Sequence, residues 1–99
     1  MTTHEMKTVG VIGAGTMGVG VAQNAADHGF AVILVDRTAA DAEAGKARIA
    51  TSLDKQVERG KRDAGSRNAT LARVTTAGDF VALGDADLIV EAAFEDLEV

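Results

Sequence analysis

Gly13, Gly15 and Gly18 stand at the spacing G-x-G-x-x-G within the stretch TVGVIGAGTMG, Thr8–Gly18. A short apolar run, Val9, Val11 and Ile12, precedes them, and the residues after them read as a helix. A buried strand that feeds a glycine-rich turn and a helix start makes an anion site. The first helical turn leaves backbone N–H groups unpaired, and the helix dipole adds partial positive charge there. The three glycines have separate tasks: Gly13 for the tight turn, Gly15 for close approach of a pyrophosphate, Gly18 for close packing of helix on strand. The candidate phosphate contacts are therefore Gly13, Ala14, Gly15, Thr16, Met17 and Gly18.

Asp36 ends the next apolar run, 18 residues beyond Gly18. A carboxylate at that place accepts hydrogen bonds from the hydroxyls of an adenosine ribose. It also repels a 2′-phosphate, which favours NAD over NADP. Arg37 is open to three readings: a partner for a 2′-phosphate, a plane against the adenine ring, or a solvated surface residue. The plainer alternative for the whole motif is an α/β domain whose glycines serve packing, with Asp36 as a cap.

Glu91 and Glu95 lie in IVEAAFED. Glu91 interrupts an apolar strand, and an unpaired buried carboxylate is costly, so it needs a partner or a place at the sheet's carboxyl edge. Ala92 and Glu95 follow at that edge, on the side where a nicotinamide ribose would lie. Glu95 reads equally as an acid complementing a helix N-terminus. Ser52 and Arg59, seven residues apart, share one face of a long helix, with Lys55, Gln56, Lys61 and Arg62 nearby. That face suits a phosphate-rich substrate or plain solvation. No Ser-His-Asp, metal-ligand or paired-carboxylate set emerges, and the two histidines read as tail (His4) and helix end (His28), so no catalytic or metal residue is assigned.

The elements that position these residues follow from periodicity. Residues 1–6 read as a flexible tail and residues 7–99 as one domain. Strands are expected over Lys7–Ile12, Ala31–Val35, Val74–Thr76 and Leu88–Ala92. Helices are expected over Thr16–His28, with Met17, Val21 and Ala25 as its buried stripe and the small residues Gly18, Ala22 and Ala26 letting it sit close to the sheet, and over Ala39–Glu58, capped by Thr38 and buried through Ile49, Leu53 and Val57. Gly29 and Gly60 read as helix stops. Lys61–Arg67 reads as a polar turn before a short helix at Asn68–Arg73, and Asp79–Leu83 as a further turn of helix. Strands alternating with helices predict a Rossmann-type α/β fold, a parallel sheet with flanking helices and right-handed crossovers. The chain has room for about four strands, fewer than a complete two-half dinucleotide domain, and its end EDLEV reads as the first turn of a further helix, so a partial domain is expected.

Composition narrows the class. The 99 residues are 46% hydrophobic and 25% charged, with a net charge of −5, which argues against nucleic acid as a partner. No apolar run spans a bilayer, and MTTHEMK lacks the apolar core of a signal peptide. The absence of cysteine excludes disulfides and thiolate chemistry and suits the cytoplasm.

VGVIGAGTMGVGVAQNAADHGFAVILVDR, the long helix ending VERGK, then LARVTT and DADLIVEAAFEDLEV resemble the N-terminal NAD-binding domain of the 3-hydroxyacyl-CoA dehydrogenases, the 3-hydroxybutyryl-CoA enzymes included. The resemblance covers nearly all of residues 7–99. It implies NAD on Gly13–Gly18, with Asp36 at the adenosine ribose and Glu95 toward the nicotinamide. It implies coenzyme A contacts from Ser52 and Arg59, where relatives can carry lysine. It implies reversible hydride transfer between an acyl-CoA substrate at C3 and NAD. The family's histidine–glutamate pair, and the helical domain that makes its dimer, would lie beyond residue 99. Three other readings stay open: a stand-alone nucleotide-binding module, a related dehydrogenase for a carrier-bound or non-CoA hydroxy acid, and a flavoprotein.

Overall fold

The computed structural model describes residues 6–92. Glu95 and His4 lie outside the described residues. The chain runs through β1 (Thr8–Ile12), α1 (Thr16–Asp27), β2 (Ala31–Val35), α2 (Ala39–Glu58), α3 (Ala64–Ala72), β3 (Val74–Ala77), a short 3-10 helix (Phe80–Asp85) and β4 (Leu88–Glu91). The strands form one sheet in the order β3-β2-β1-β4, each pair parallel.

Parallel strands need crossovers, and successive right-handed crossovers in one direction put their helices on one face. That face carries Val9, Val11, Val32, Leu34 and Val74, which join Ala22 and Ala26 of α1 and Ile49 and Leu53 of α2 in a single core. Val11 pairs with Leu34 in register. The other face, bearing Gly10 and Ile33, meets the 3-10 helix, whose Leu83 Cδ2 lies 2.5 Å from where a Cβ at Gly10 would stand. Cover on this side is thinner: Ile33 is half-buried, and Ile89 of the edge strand β4, in register with Gly10, is 48% exposed.

Local signals set several boundaries as expected. Thr38 caps α2, its Oγ1 accepting from the Asp41 N–H at 3.0 Å, and Gly29 and Gly60 stop their helices with φ of +94° and +74°. Two expectations are corrected. Helix α1 buries Gly18, Ala22 and Ala26, the small residues expected to lie close to the sheet, but not the stripe expected beside them: Met17 is 46% exposed, and Val21 and Ala25 are only partly buried. The reason is distance: α1 lies so close to the turn that only its smallest side chains fit beneath it. Helix α3 begins at Ala64, not Asn68, because Asp63 Oδ1 accepts from the Ser66 N–H at 2.7 Å and so caps it. Gly65 then falls in the first turn, where its N–H has no intrahelical partner to lose.

Arg62 ties the three helices together. Its guanidinium forks onto Asp27, donating to Oδ1 at 2.8 Å and Oδ2 at 2.9 Å, and also donates to Gln56 Oε1 at 2.8 Å and to the Ser66 and Thr70 hydroxyls at 3.2 Å. The hydrogen bond from Arg62, helped by that from Thr70, holds the Asp27 carboxyl below its ordinary pKa against the opposing effect of burial. A carboxylate depressed on folding stabilises the protein above its unfolded pKa, and that contribution is lost as pH falls through the lowered folded value. Asp27→Ala is expected to cost about 1–2 kcal/mol at neutral pH, a modest figure because the pair is partly solvated. In urea denaturation the gap between wild type and variant should close below the ordinary carboxylate range; an equal gap at neutral and strongly acid pH would remove the ion pair as its cause.

Candidate functional site

β1 lies inside the sheet, with β2 and β3 on one side and β4 on the other. The chain therefore reverses its winding between β1 and β4, and the carboxyl ends of these strands open into a crevice, the place where open α/β sheets bind ligands. The glycine turn leaves β1 here. Ala92 arrives from β4 beside it, its N–H donating to the Ile12 carbonyl at 2.8 Å.

Gly13 turns the chain with φ of +101°, a conformation that L side chains rarely adopt, and its N–H donates to the Val35 carbonyl at 2.7 Å. Gly18 allows the next step. A Cβ built there would stand 1.6 Å from the Gly13 carbonyl oxygen, so the close contact is with the turn itself, while Val11 Cγ1 is an ordinary 3.6 Å away. Gly15 is different, since its φ of −75° is open to any residue and the backbone does not demand glycine there. What the absent side chain leaves is room at the start of α1.

That start is uncapped. Thr38, Asp63 and Asp79 each accept a backbone N–H at the head of their helices, but Gly15 offers α1 no side-chain cap. The head of α1 thus offers backbone donors and dipole charge to an anion. Asp36 stands at the same turn: Oδ2 accepts from the Ala14 N–H at 2.8 Å and Oδ1 from the Arg37 N–H at 2.6 Å. An ionised carboxylate has about four lone-pair sites, so two remain for ligand hydroxyls. Donors for a diphosphate next to acceptors for a ribose fit a dinucleotide. Thr16 and Met17, on the first turn of α1, are exposed to the same opening.

The structure brings Gly13–Gly18, Asp36 and Ala92 to one place, with Arg37 exposed next to Asp36. Ser52 and Arg59 lie elsewhere, on α2, the first half-buried and the second at the helix's exposed C-terminal cap. The broader polar face read around them is smaller than expected, because Arg62 and Gln56 are engaged in the interhelical network with Asp27. Glu91 is exposed on the edge strand, paired in register with Ile12. Among the described residues no group of three or more His, Asp or Glu is gathered as for a metal ion, and no helix is long and apolar enough to cross a membrane.

One contact escaped the sequence reading. Arg48 of α2 donates from Nη2 to the Ala14 carbonyl inside the glycine turn. A signal existed in Gly45, three residues earlier, since glycine inside a helix costs about 1 kcal/mol against alanine and marks a close approach.

Comparison with known proteins agrees with this geometry. Residues 8–99 match the family model of the 3-hydroxyacyl-CoA dehydrogenase, NAD binding domain. The chain is 45% identical over 94 residues to a 3-hydroxyadipyl-CoA dehydrogenase of Escherichia coli, a match covering 95% of this chain and 20% of that protein. It is 40% identical to a 3-hydroxybutyryl-CoA dehydrogenase of Bradyrhizobium diazoefficiens, over 95% of this chain and 32% of the relative. Among solved structures, the (S)-3-hydroxybutyryl-CoA dehydrogenase of Ralstonia eutropha superposes with a TM-score of 0.88 at 37% identity, covering 93% of this chain and 32% of that one. The chain thus spans between a fifth and a third of these relatives' lengths.

Proposed function

This chain belongs to the 3-hydroxyacyl-CoA dehydrogenase NAD-binding family, and from that premise we propose that it is the NAD-binding portion of an oxidoreductase interconverting 3-hydroxyacyl-CoA and 3-oxoacyl-CoA. The observation that carries the reading is the uncapped head of α1 with a carboxylate at its side. NAD, when bound, supplies the hydride acceptor. The chain's own part is to hold it. Backbone donors of Gly15, Thr16, Met17 and Gly18 form the bed for the diphosphate on the turn that Gly13 and Ala14 build, their own N–H groups being taken by Val35 and Asp36, and Asp36 accepts from the adenosine ribose with Arg37 at its flank. Ala92 and, outside the described residues, Glu95 border the nicotinamide side. Ser52 and Arg59 on α2 are the contacts for the coenzyme A of an acyl-CoA substrate.

Residues 7–99 form the N-terminal unit in this reading. A further helical domain completes the cleft and makes a homodimer, as the resemblance implies, and the absence of cysteine favours a cytoplasmic protein. The test is NADH oxidation by the natural full-length protein with a 3-oxoacyl-CoA as acceptor. Turnover with NADH well above that with NADPH is expected; no turnover, or a preference for NADPH, overturns the reading.

Arg59→Ala is expected to raise KM for the acyl-CoA about fivefold with kcat unchanged, the loss of one solvated charge contact. KM for the matching acyl-pantetheine, which lacks the nucleotide, should stay the same. An equal rise for both thioesters would show that Arg59 does not meet the nucleotide end.

A further inference from the structure

Ala14 is held at both ends of its backbone. Its N–H donates to Asp36 Oδ2 at 2.8 Å, and its carbonyl accepts from the Arg48 guanidinium. The approach of α2 that makes the second bond depends on Gly45, where a Cβ would stand 2.7 Å from Ala14 Cβ and 3.1 Å from Leu34 Cδ2. Arg48 follows three residues later, on the same face of the helix. In a trans peptide the C=O and the next N–H point in opposite directions. With the Ala14 carbonyl turned toward Arg48, the Gly15 N–H is turned away from it. Gly15 heads α1 without a capping side chain, and no side chain of its own restrains that peptide.

We propose that Arg48 is a positioning residue for the cofactor: by holding the Ala14 carbonyl it fixes the peptide whose Gly15 N–H donates to the diphosphate. The inference rests on the dinucleotide site proposed above. Arg48 lies on the far side of this peptide from the donor, so it acts through the backbone, and its removal frees the peptide to rotate. Binding must then meet the ordering cost that the arginine had already met. The effect belongs to ligands that carry a phosphate and is absent from those that do not.

The test uses the natural full-length protein, with NADH titrated directly and ADP and adenosine measured by competition against it. Arg48→Met, which keeps an unbranched side chain of similar length, is expected to weaken NADH and ADP about tenfold, the scale of one charge-assisted hydrogen bond. Adenosine affinity should not change, and Arg48→Lys, which retains a donor, should recover part of the loss. Unaltered ADP binding in Arg48→Met overturns the inference, as does an equal loss for ADP and adenosine, which would mark a general structural role. Wild-type protein that binds neither NADH nor ADP overturns the cofactor site itself; wild-type binding with an unaffected Arg48→Met overturns the inference alone.

Discussion

Gly18→Ala is expected to destabilise the fold by roughly 3 kcal/mol and to abolish measurable NADH binding with it. The added methyl would stand 1.6 Å from the Gly13 oxygen and 2.8 Å from the Gly13 carbonyl carbon. Both are backbone atoms of a turn already fixed by the φ of Gly13 and by its hydrogen bond to Val35. No side-chain rotation relieves such an overlap, so either the turn or α1 must move. If α1 lifts, Ala22 and Ala26, both at 0% exposure, lose their packing against the sheet. If the turn moves, the backbone donors leave the positions proposed for them around a diphosphate. Urea denaturation and NADH titration on the same samples measure the two losses. A variant within about 0.5 kcal/mol of wild type that still binds NADH would mean that the turn tolerates what the geometry forbids.

Asp36→Ala is expected to weaken NADH at least tenfold while leaving NADPH unchanged or slightly improved. Two effects add. The variant loses the acceptors proposed for the ribose hydroxyls, and charge-assisted hydrogen bonds are worth about 1.5–3 kcal/mol. It also leaves the Ala14 N–H without the partner it has at 2.8 Å, on a residue only 4% exposed, so the turn loosens. For NADPH both losses are offset by removal of a negative charge that would face the 2′-phosphate. The ratio of the two dissociation constants isolates the carboxylate's part, since loosening of the turn affects both cofactors alike. An unchanged ratio would take Asp36 out of the ribose site.

Much of this candidate site is legible in the sequence. A G-x-G-x-x-G turn is a local code, because the φ of Gly13 and the missing side chain of Gly15 act within a few residues of one another. The same holds for β2 and α2, whose ranges follow from an apolar run ending at Asp36 and from the cap at Thr38. Where the sequence misled, the deciding contact lay outside the hydrophobic period. The period of α1 favours the larger Met17, Val21 and Ala25 stripe, but the close approach of Gly18 to the Gly13 turn brings the small face of Gly18, Ala22 and Ala26 onto the sheet. Arg62 read as one more cation on an open surface until Asp27, 35 residues away, claimed it.

The amino-acid order alone therefore settled the turn, its acid partner and the alternation of strands and helices, since backbone sterics, capping and hydrophobic period are encoded among neighbours. It did not contain the strand order β3-β2-β1-β4, which sets Ala92 beside the glycine turn, nor the reach of Arg48 from α2 to Ala14. Those depend on which surfaces meet once the helices pack on the sheet, and that is decided by the summed burial of residues far apart in the chain.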